Sequence, residues 1–233
     1  NNNNNNNNIS MLDPIIPRVL DYLRGKPTGR LLMYDPHTKA TLELLSNLWF
    51  ANGVTVSHDE SFLLIAESMN LRIIKYYITG KNKFRKEIFH SNLPGYVDNL
   101  SFSSDGKYIY AALFSPLPKL HMNILTSIFF KDYINIFGFD IPIGINRFIR
   151  NILLRFITVM NISDRKKIGG VLVLNASTGE IVEEYYDGLL SSEAAVMHEI
   201  TSVIESPHDS KLYLGSITND FIGVFGRTPA ERK

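Results

Sequence analysis

Two short segments, Phe50-Ala51-Asn52-Gly53-Val54 and Tyr96-Val97-Asp98-Asn99-Leu100, stand 46 residues apart at the heads of two runs that read as copies of each other. Val54 to Ala66 follows the first and Leu100 to Ala111 the second. Each run alternates apolar residues, passes a Ser/Asp turn (Ser57-His58-Asp59-Glu60-Ser61; Ser103-Ser104-Asp105-Gly106-Lys107) and resumes as an apolar strand. A repeat of about 40–50 residues built from short strands predicts the blades of a β-propeller. Equivalent positions of successive blades converge on the central axis, so the fold itself would bring Asn52 and Asp98 together.

The pattern continues along the chain. Gly29 to Tyr34 enters an Asp35-Pro36 turn, Thr41 to Leu45 returns, and Leu71 to Tyr77 repeats the first element. A third copy opens at Gly170-Val171-Leu172-Val173-Leu174 and holds the hairpin Ile200–Ile204 with Lys211–Ser216, and Phe221 to Phe225 begins one more. About three blades are expected, too few to close a ring. The remaining blades are expected to precede residue 1.

Between the second and third copies, residues of about 116–160 change period. Phe148, Ile149, Ile152, Leu153 and Phe156 share a helical face with Arg147, Arg150 and Arg155 offset, which predicts helices near 120–130 and 145–160. Such an insert either caps the propeller rim or rests its basic face on a membrane. Residues 1–10 begin with eight asparagines and are expected to be disordered.

Composition narrows the function classes. A net charge of +1 makes no electrostatic case for nucleic acid, and the absence of cysteine excludes disulfides, zinc-thiolate sites and a thiol nucleophile. No P-loop, Gly-x-Ser-x-Gly elbow or His-Glu-x-x-His occurs. His58 and His208 fall in hairpin turns, His37 in another, and His90 and His121 in expected loops.

The segments Lys26 to Pro36, Phe50 to Val54, Ser57 to Glu67, Asn92 to Asn99 and Lys211 to Ser216 resemble the strictosidine synthase-like family, in order and over about residues 26–226, with a short tail at 227–233. The resemblance implies a six-bladed β-propeller related to the paraoxonases and gluconolactonases, with its C-terminal half present here. By the same resemblance Asn52, Asp98 and Asn99 match ligands of a central calcium ion, whose other ligands would come from preceding blades. Calcium takes six to eight hard oxygens, a demand that carboxylate and amide oxygens suit. Ordinary turn chemistry is the competing reading of Asn52-Gly53 and Asp98.

A second correspondence fails. The family's condensing enzymes use a glutamate base in the last full blade, and Thr201 stands at that position here, able to hydrogen-bond substrate but not to remove a proton. Glu199 is the nearest alternative acid, expected on Thr201's face by strand alternation. The resemblance therefore implies an arylesterase-like hydrolase of small esters or lactones, with a condensing enzyme and a non-catalytic membrane-associated binding propeller as alternatives. It also implies association with a membrane, at the endoplasmic reticulum lumen or the cell surface. Asn99, Asn161 and Asn175 begin N-glycosylation triplets, of which the first would be a buried ligand.

Overall fold

The computed structural model describes residues 27–116, 168–187, 195–209 and 211–227. Thirteen strands run in chain order: β1 (Gly29–Tyr34), β2 (Thr41–Leu48), β3 (Ala51–Val56), β4 (Phe62–Glu67), β5 (Arg72–Tyr77), β6 (Lys86–Ser91), β7 (Gly95–Phe102), β8 (Tyr108–Pro116), β9 (Gly169–Asn175), β10 (Ile181–Asp187), β11 (Ile200–Glu205), β12 (Lys211–Ser216) and β13 (Gly223–Gly226). All pairings are antiparallel, in sheets ordered β1-β2, β3-β4-β5-β6, β7-β8-β9-β10 and β11-β12-β13. These are the blades of a β-propeller. Among the described residues the only helical element is a single 3-10 turn, Ser68–Asn70.

Burial explains which strand sits where. The central strands β4 (FLLIAE) and β9 (GGVLVLN) are apolar runs because both of their faces are covered. Leu64, Ala66 and Ile73 pack with Leu100, Ile109, Ala111 and Leu113 of the following sheet. Their sequence neighbours Ile65 and Ile74 turn the other way, onto Leu48 and the β1-β2 pair. In the third interface Tyr110, Ala112, Val171 and Val173 meet Ile200, Val203, Leu212 and Leu214. Each of the two four-stranded sheets is thus glued to both neighbours by alternate residues of the same strands, at about 1.5–3 kcal/mol for each fully buried large side chain.

Two expectations change here. The repeat unit read along the chain begins at β5, β9 and β13, each the third strand of its sheet, so each sequence copy is divided between two blades. The stretch expected between blades instead interrupts one blade, between its adjacent strands β8 and β9. A hairpin connection can lengthen without disturbing the pairing of the strands it joins, because the ladder constrains only their register. The helices expected at 120–130 and 145–160 lie outside the described residues.

The Ser/Asp turn recurs three times with one geometry. Ser57, Ser103 and Ser206 each donate their backbone N–H to the carbonyl five residues on, at 2.8 to 3.0 Å. Asp59 accepts from Ser61, Asp105 from Ser103 and Lys107, and Asp209 from Lys211. The Lys107 backbone N–H and the Ser206 hydroxyl are the leading causes that hold Asp105 and Asp209 at about 2, and Ser57 leads in lowering Asp59. A carboxylate held below its unfolded value stabilises the fold above that value and loses the effect as pH falls through the folded one. Acid titration is therefore expected to lower the unfolding midpoint between about pH 4 and the folded values of about 2. Replacing Asp105 and Asp209 with asparagine should flatten that slope, and an unchanged acid limb would refute the assignment.

Candidate functional site at the head of the inner strands

The inner strands β3, β7 and β11 carry a β-bulge at the same register. Ala51 pairs with Glu67 and Val54 with Ile65, so Asn52-Gly53 face Ala66 alone. Val97 pairs with Leu113 and Leu100 with Ala111, so Asp98-Asn99 face Ala112 alone. Ile200 pairs with Ser216 and Ser202 with Gly215, which sets Thr201 in the third bulge. A bulge bends its strand and re-aims the side chains on it. Counted back from the Ser/Asp turns, Asn52, Asp98 and Thr201 are equivalent. Asn52 and Asn99 are exposed, Asp98 and Thr201 half-buried.

The bulged strands touch directly. A Cβ added to Gly53 would lie 2.5 Å from the Asn99 Cα and 2.5 Å from the Asp98 carbonyl oxygen, so β3 meets β7 backbone to backbone. Between β7 and β11 side chains span the gap. Asn99 Nδ2 donates to the Thr201 carbonyl at 2.7 Å, and Ser101 Oγ to the Val203 carbonyl at 2.7 Å. Asn99 thus spends its amide nitrogen on β11, and Oδ1 is the atom it has to offer a cation.

Behind the bulges stands a brace that the sequence reading missed. Glu67, fully buried, accepts the Trp49 backbone N–H at 2.6 Å, Asn70 Nδ2 at 3.1 Å and Arg72 Nε. Ser68 donates its N–H to the Phe50 carbonyl at 3.2 Å and its hydroxyl to the Val97 carbonyl at 2.5 Å. Residues 67–68 therefore hold the chain just ahead of Asn52 and just ahead of Asp98 at once. The signal available was a charge closing the apolar run Phe62-Leu63-Leu64-Ile65-Ala66, with an arginine five residues later. A buried carboxylate persists only when such partners satisfy it.

Other candidates fall elsewhere. Glu199 lies ahead of β11 in the left-handed region, at φ 49, so strand alternation does not reach it. Its carboxylate sits 3.9 Å from Nδ1 of His198. His198 is buried against Thr218 and Asn219, whose Oδ1 accepts the His198 N–H at 3.1 Å. His90 belongs to strand β6 rather than a loop, and its Nδ1 lies 2.7 Å from the Gly179 carbonyl of the neighbouring blade. His58 stays in its turn, tilted on Phe102 at 5.5 Å. His121 lies outside the described residues.

The donor set of one carboxylate and two carboxamides, all hard oxygens, fits calcium in kind and makes up part of the six to eight it takes. Among the described residues no group of three or more His, Cys, Asp or Glu could hold a metal ion. No helix among them is long and apolar enough to cross a membrane.

Residues 13–81 match the family described as strictosidine synthase. The adipocyte plasma membrane-associated protein of Rattus norvegicus is 33% identical over 213 residues, which are 87% of this chain and 49% of that protein. The chain is strictosidine synthase-like. Strictosidine synthase-like protein 7 of Arabidopsis thaliana is 48% identical over 89 residues, 38% of this chain and 23% of that one. The chain thus spans about a quarter to a half of the length of these two relatives. Among solved structures, a luciferin-regenerating enzyme superposes with a TM-score of 0.48 at 14% identity, over 86% of this chain and 54% of that one.

Proposed function

We propose that the protein is a calcium-dependent propeller hydrolase acting on small esters or lactones, arylesterase-like in its chemistry. The observation that carries this reading is the common register of the three bulges. They bring the backbone that carries Asn52 against the backbone that carries Asp98 and Asn99, with Thr201 at the equivalent position of the third strand. Asp98 and the Oδ1 atoms of Asn52 and Asn99 would hold the ion, with further ligands from preceding blades of a six-bladed ring. A bound calcium supplies Lewis acidity toward an ester carbonyl and stabilises the developing oxyanion. Thr201 Oγ1 donates to the Gly215 carbonyl at 3.4 Å and would turn that proton to a substrate oxygen, while Asn99, through the Thr201 carbonyl, fixes where the hydroxyl stands. Ser68 and Glu67 keep the two bulges in step. The interrupted hairpin supports the reading too, because β8 ends and β9 begins at the same end of the sheets as the bulges, beside a substrate. Relatives named for the adipocyte plasma membrane support a membrane-associated setting, at the cell surface or in the endoplasmic reticulum lumen.

Condensing chemistry is disfavoured, because a threonine hydroxyl cannot accept the amine proton at pH 7. Calorimetric titration of the full-length protein with calcium is expected to show binding that Asp98→Ala abolishes. Phenyl acetate or lactone turnover should require calcium and disappear in the same variant. Unchanged calcium affinity in Asp98→Ala would sink the ligand assignment. Condensation of tryptamine with secologanin, lost in Glu199→Gln, would establish the synthase alternative, and binding without any turnover the non-catalytic one.

A further inference from the structure

We propose that the hairpin joining β5 to β6, residues 78–85, is a contact for anionic lipid surfaces, with Phe84 as its apolar anchor. The loop reads Ile78-Thr79-Gly80-Lys81-Asn82-Lys83-Phe84-Arg85, and Lys86 opens β6. Its base is tightly closed. Phe84 N–H donates to the Tyr77 carbonyl at 2.8 Å, Tyr77 N–H to Arg85 at 3.0 Å, Lys83 to Gly80 at 3.1 Å and Arg85 to Asn82 at 2.9 Å. The loop also leans on the neighbouring turn, because Ile78 and Thr79 both donate to the Ser61 carbonyl.

Two residues of this loop occupy the left-handed region. One is Gly80, at φ 72; the other is Phe84, at φ 69. A bulky side chain in that conformation is strained, and glycine would be at ease there. Packing against the protein does not explain the choice, because Phe84 is 62% exposed. Strain held at an exposed residue points to work done outside the fold.

The surroundings name the partner. Lys81, Lys83, Arg85 and Lys86 are all exposed around the ring, and Lys83 Nζ lies 4.9 Å from its centroid. The adjoining turn contributes Asp59 and Glu60, and β6 contributes Glu87, which Lys75 and the Tyr77 hydroxyl engage, so four cations stand against three acids. Asp59 is already engaged by Ser61. A soluble polyanion would satisfy the cations and leave the ring in water. An anionic bilayer satisfies both, taking the ring below the headgroups and the cations among them.

Strand direction places this contact away from the bulges. The bulges lie where β3 begins beside the end of β4, whereas the loop follows the end of β5, next to the turn that closes β3 on β4. Docking by this hairpin leaves the candidate site facing solvent. The inference does not rest on the calcium reading.

The test is co-sedimentation of the full-length protein, freed of any membrane anchor, with vesicles of phosphatidylcholine alone and of phosphatidylcholine mixed with phosphatidylserine. Partitioning is expected to favour the anionic vesicles and to fall roughly fivefold for each cation removed in Lys81→Gln and Lys83→Gln. Phe84→Gly should weaken it roughly tenfold or more while leaving the melting temperature unchanged or higher, and Phe84→Trp should retain it. Equal binding to both vesicles, insensitivity to Phe84→Gly, or a lowered melting temperature in Phe84→Gly would each overturn the proposal. So would Lys81- and Lys83-dependent binding to heparin in the absence of any vesicle binding.

Discussion

Replacing Arg227 with alanine is expected to lower the stability of the protein by about 3–5 kcal/mol, the usual effect of leaving one charge of a buried pair without its partner. Arg227 follows β13 and reaches back to the preceding blade. Nε and Nη2 donate to the two carboxylate oxygens of Glu183 on β10, at 2.9 and 2.7 Å, and Nη1 donates to the Tyr110 hydroxyl at 3.1 Å. Its guanidinium lies 4.2 Å from the Tyr108 ring centre. The side chains of Arg227 and Glu183 are only 7% and 14% exposed. The same network continues from Tyr110 to Glu205 of β11 at 2.9 Å. Arg227 is the main cause that holds the Glu183 carboxyl below its ordinary value, and burial is the main one that pushes Tyr185 up to about 12. Urea denaturation of Arg227→Ala, Glu183→Gln and the double variant checks this. The double variant should be far less destabilised than the two singles added together. A loss below about 1 kcal/mol in Arg227→Ala would class the pair with ordinary surface ion pairs.

Gly53→Ala is expected to destabilise by about 1–3 kcal/mol, the range for overpacking, and to separate the two bulges as well. Its new methyl would lie within 2.9 Å of three backbone atoms of β7: Asn99 Cα, the Asp98 oxygen and the Leu100 nitrogen. A side chain could rotate away; a strand held in a sheet cannot. If the bulges hold calcium as proposed, its affinity should therefore fall in Gly53→Ala even though none of the proposed ligand atoms is removed. Gly226→Ala, where an added Cβ meets nothing within 4 Å, is the matched control. A Gly53→Ala protein as stable as the parent would show that the inner strands part easily, and the candidate site would lose its scaffold.

The strands of this fold were legible because their code is local. Alternation in Val54-Thr55-Val56 and the Ser/Asp turns mark inner hairpins whatever surrounds them. The equivalence of Asn52 and Asp98 followed from the repeat and the place of Thr201 from the family resemblance, and the pairing registers place all three at bulges. The division of the chain into sheets was not legible. Sequence copies repeat equally well from any starting strand, and only pairing decides that β2 ends one blade and β3 begins the next.

By itself the sequence determined the β class, the repeat, the turn chemistry and the family, since each depends on residues close together or on motifs in order. Tertiary structure alone decided the rest. Glu67 and Ser68 became a brace because a buried carboxylate must find partners, and the two chain segments they hold are distant in sequence. Asn99 met the Thr201 carbonyl across 102 residues, and Arg227 met Tyr110 across 117. Glu199 left the strand pattern through a positive φ that no alternation announces. Phe84 has the same cause: whether a phenylalanine in a charged loop is packed or presented depends on how the hairpin closes, and that closure is a property of the folded sheet.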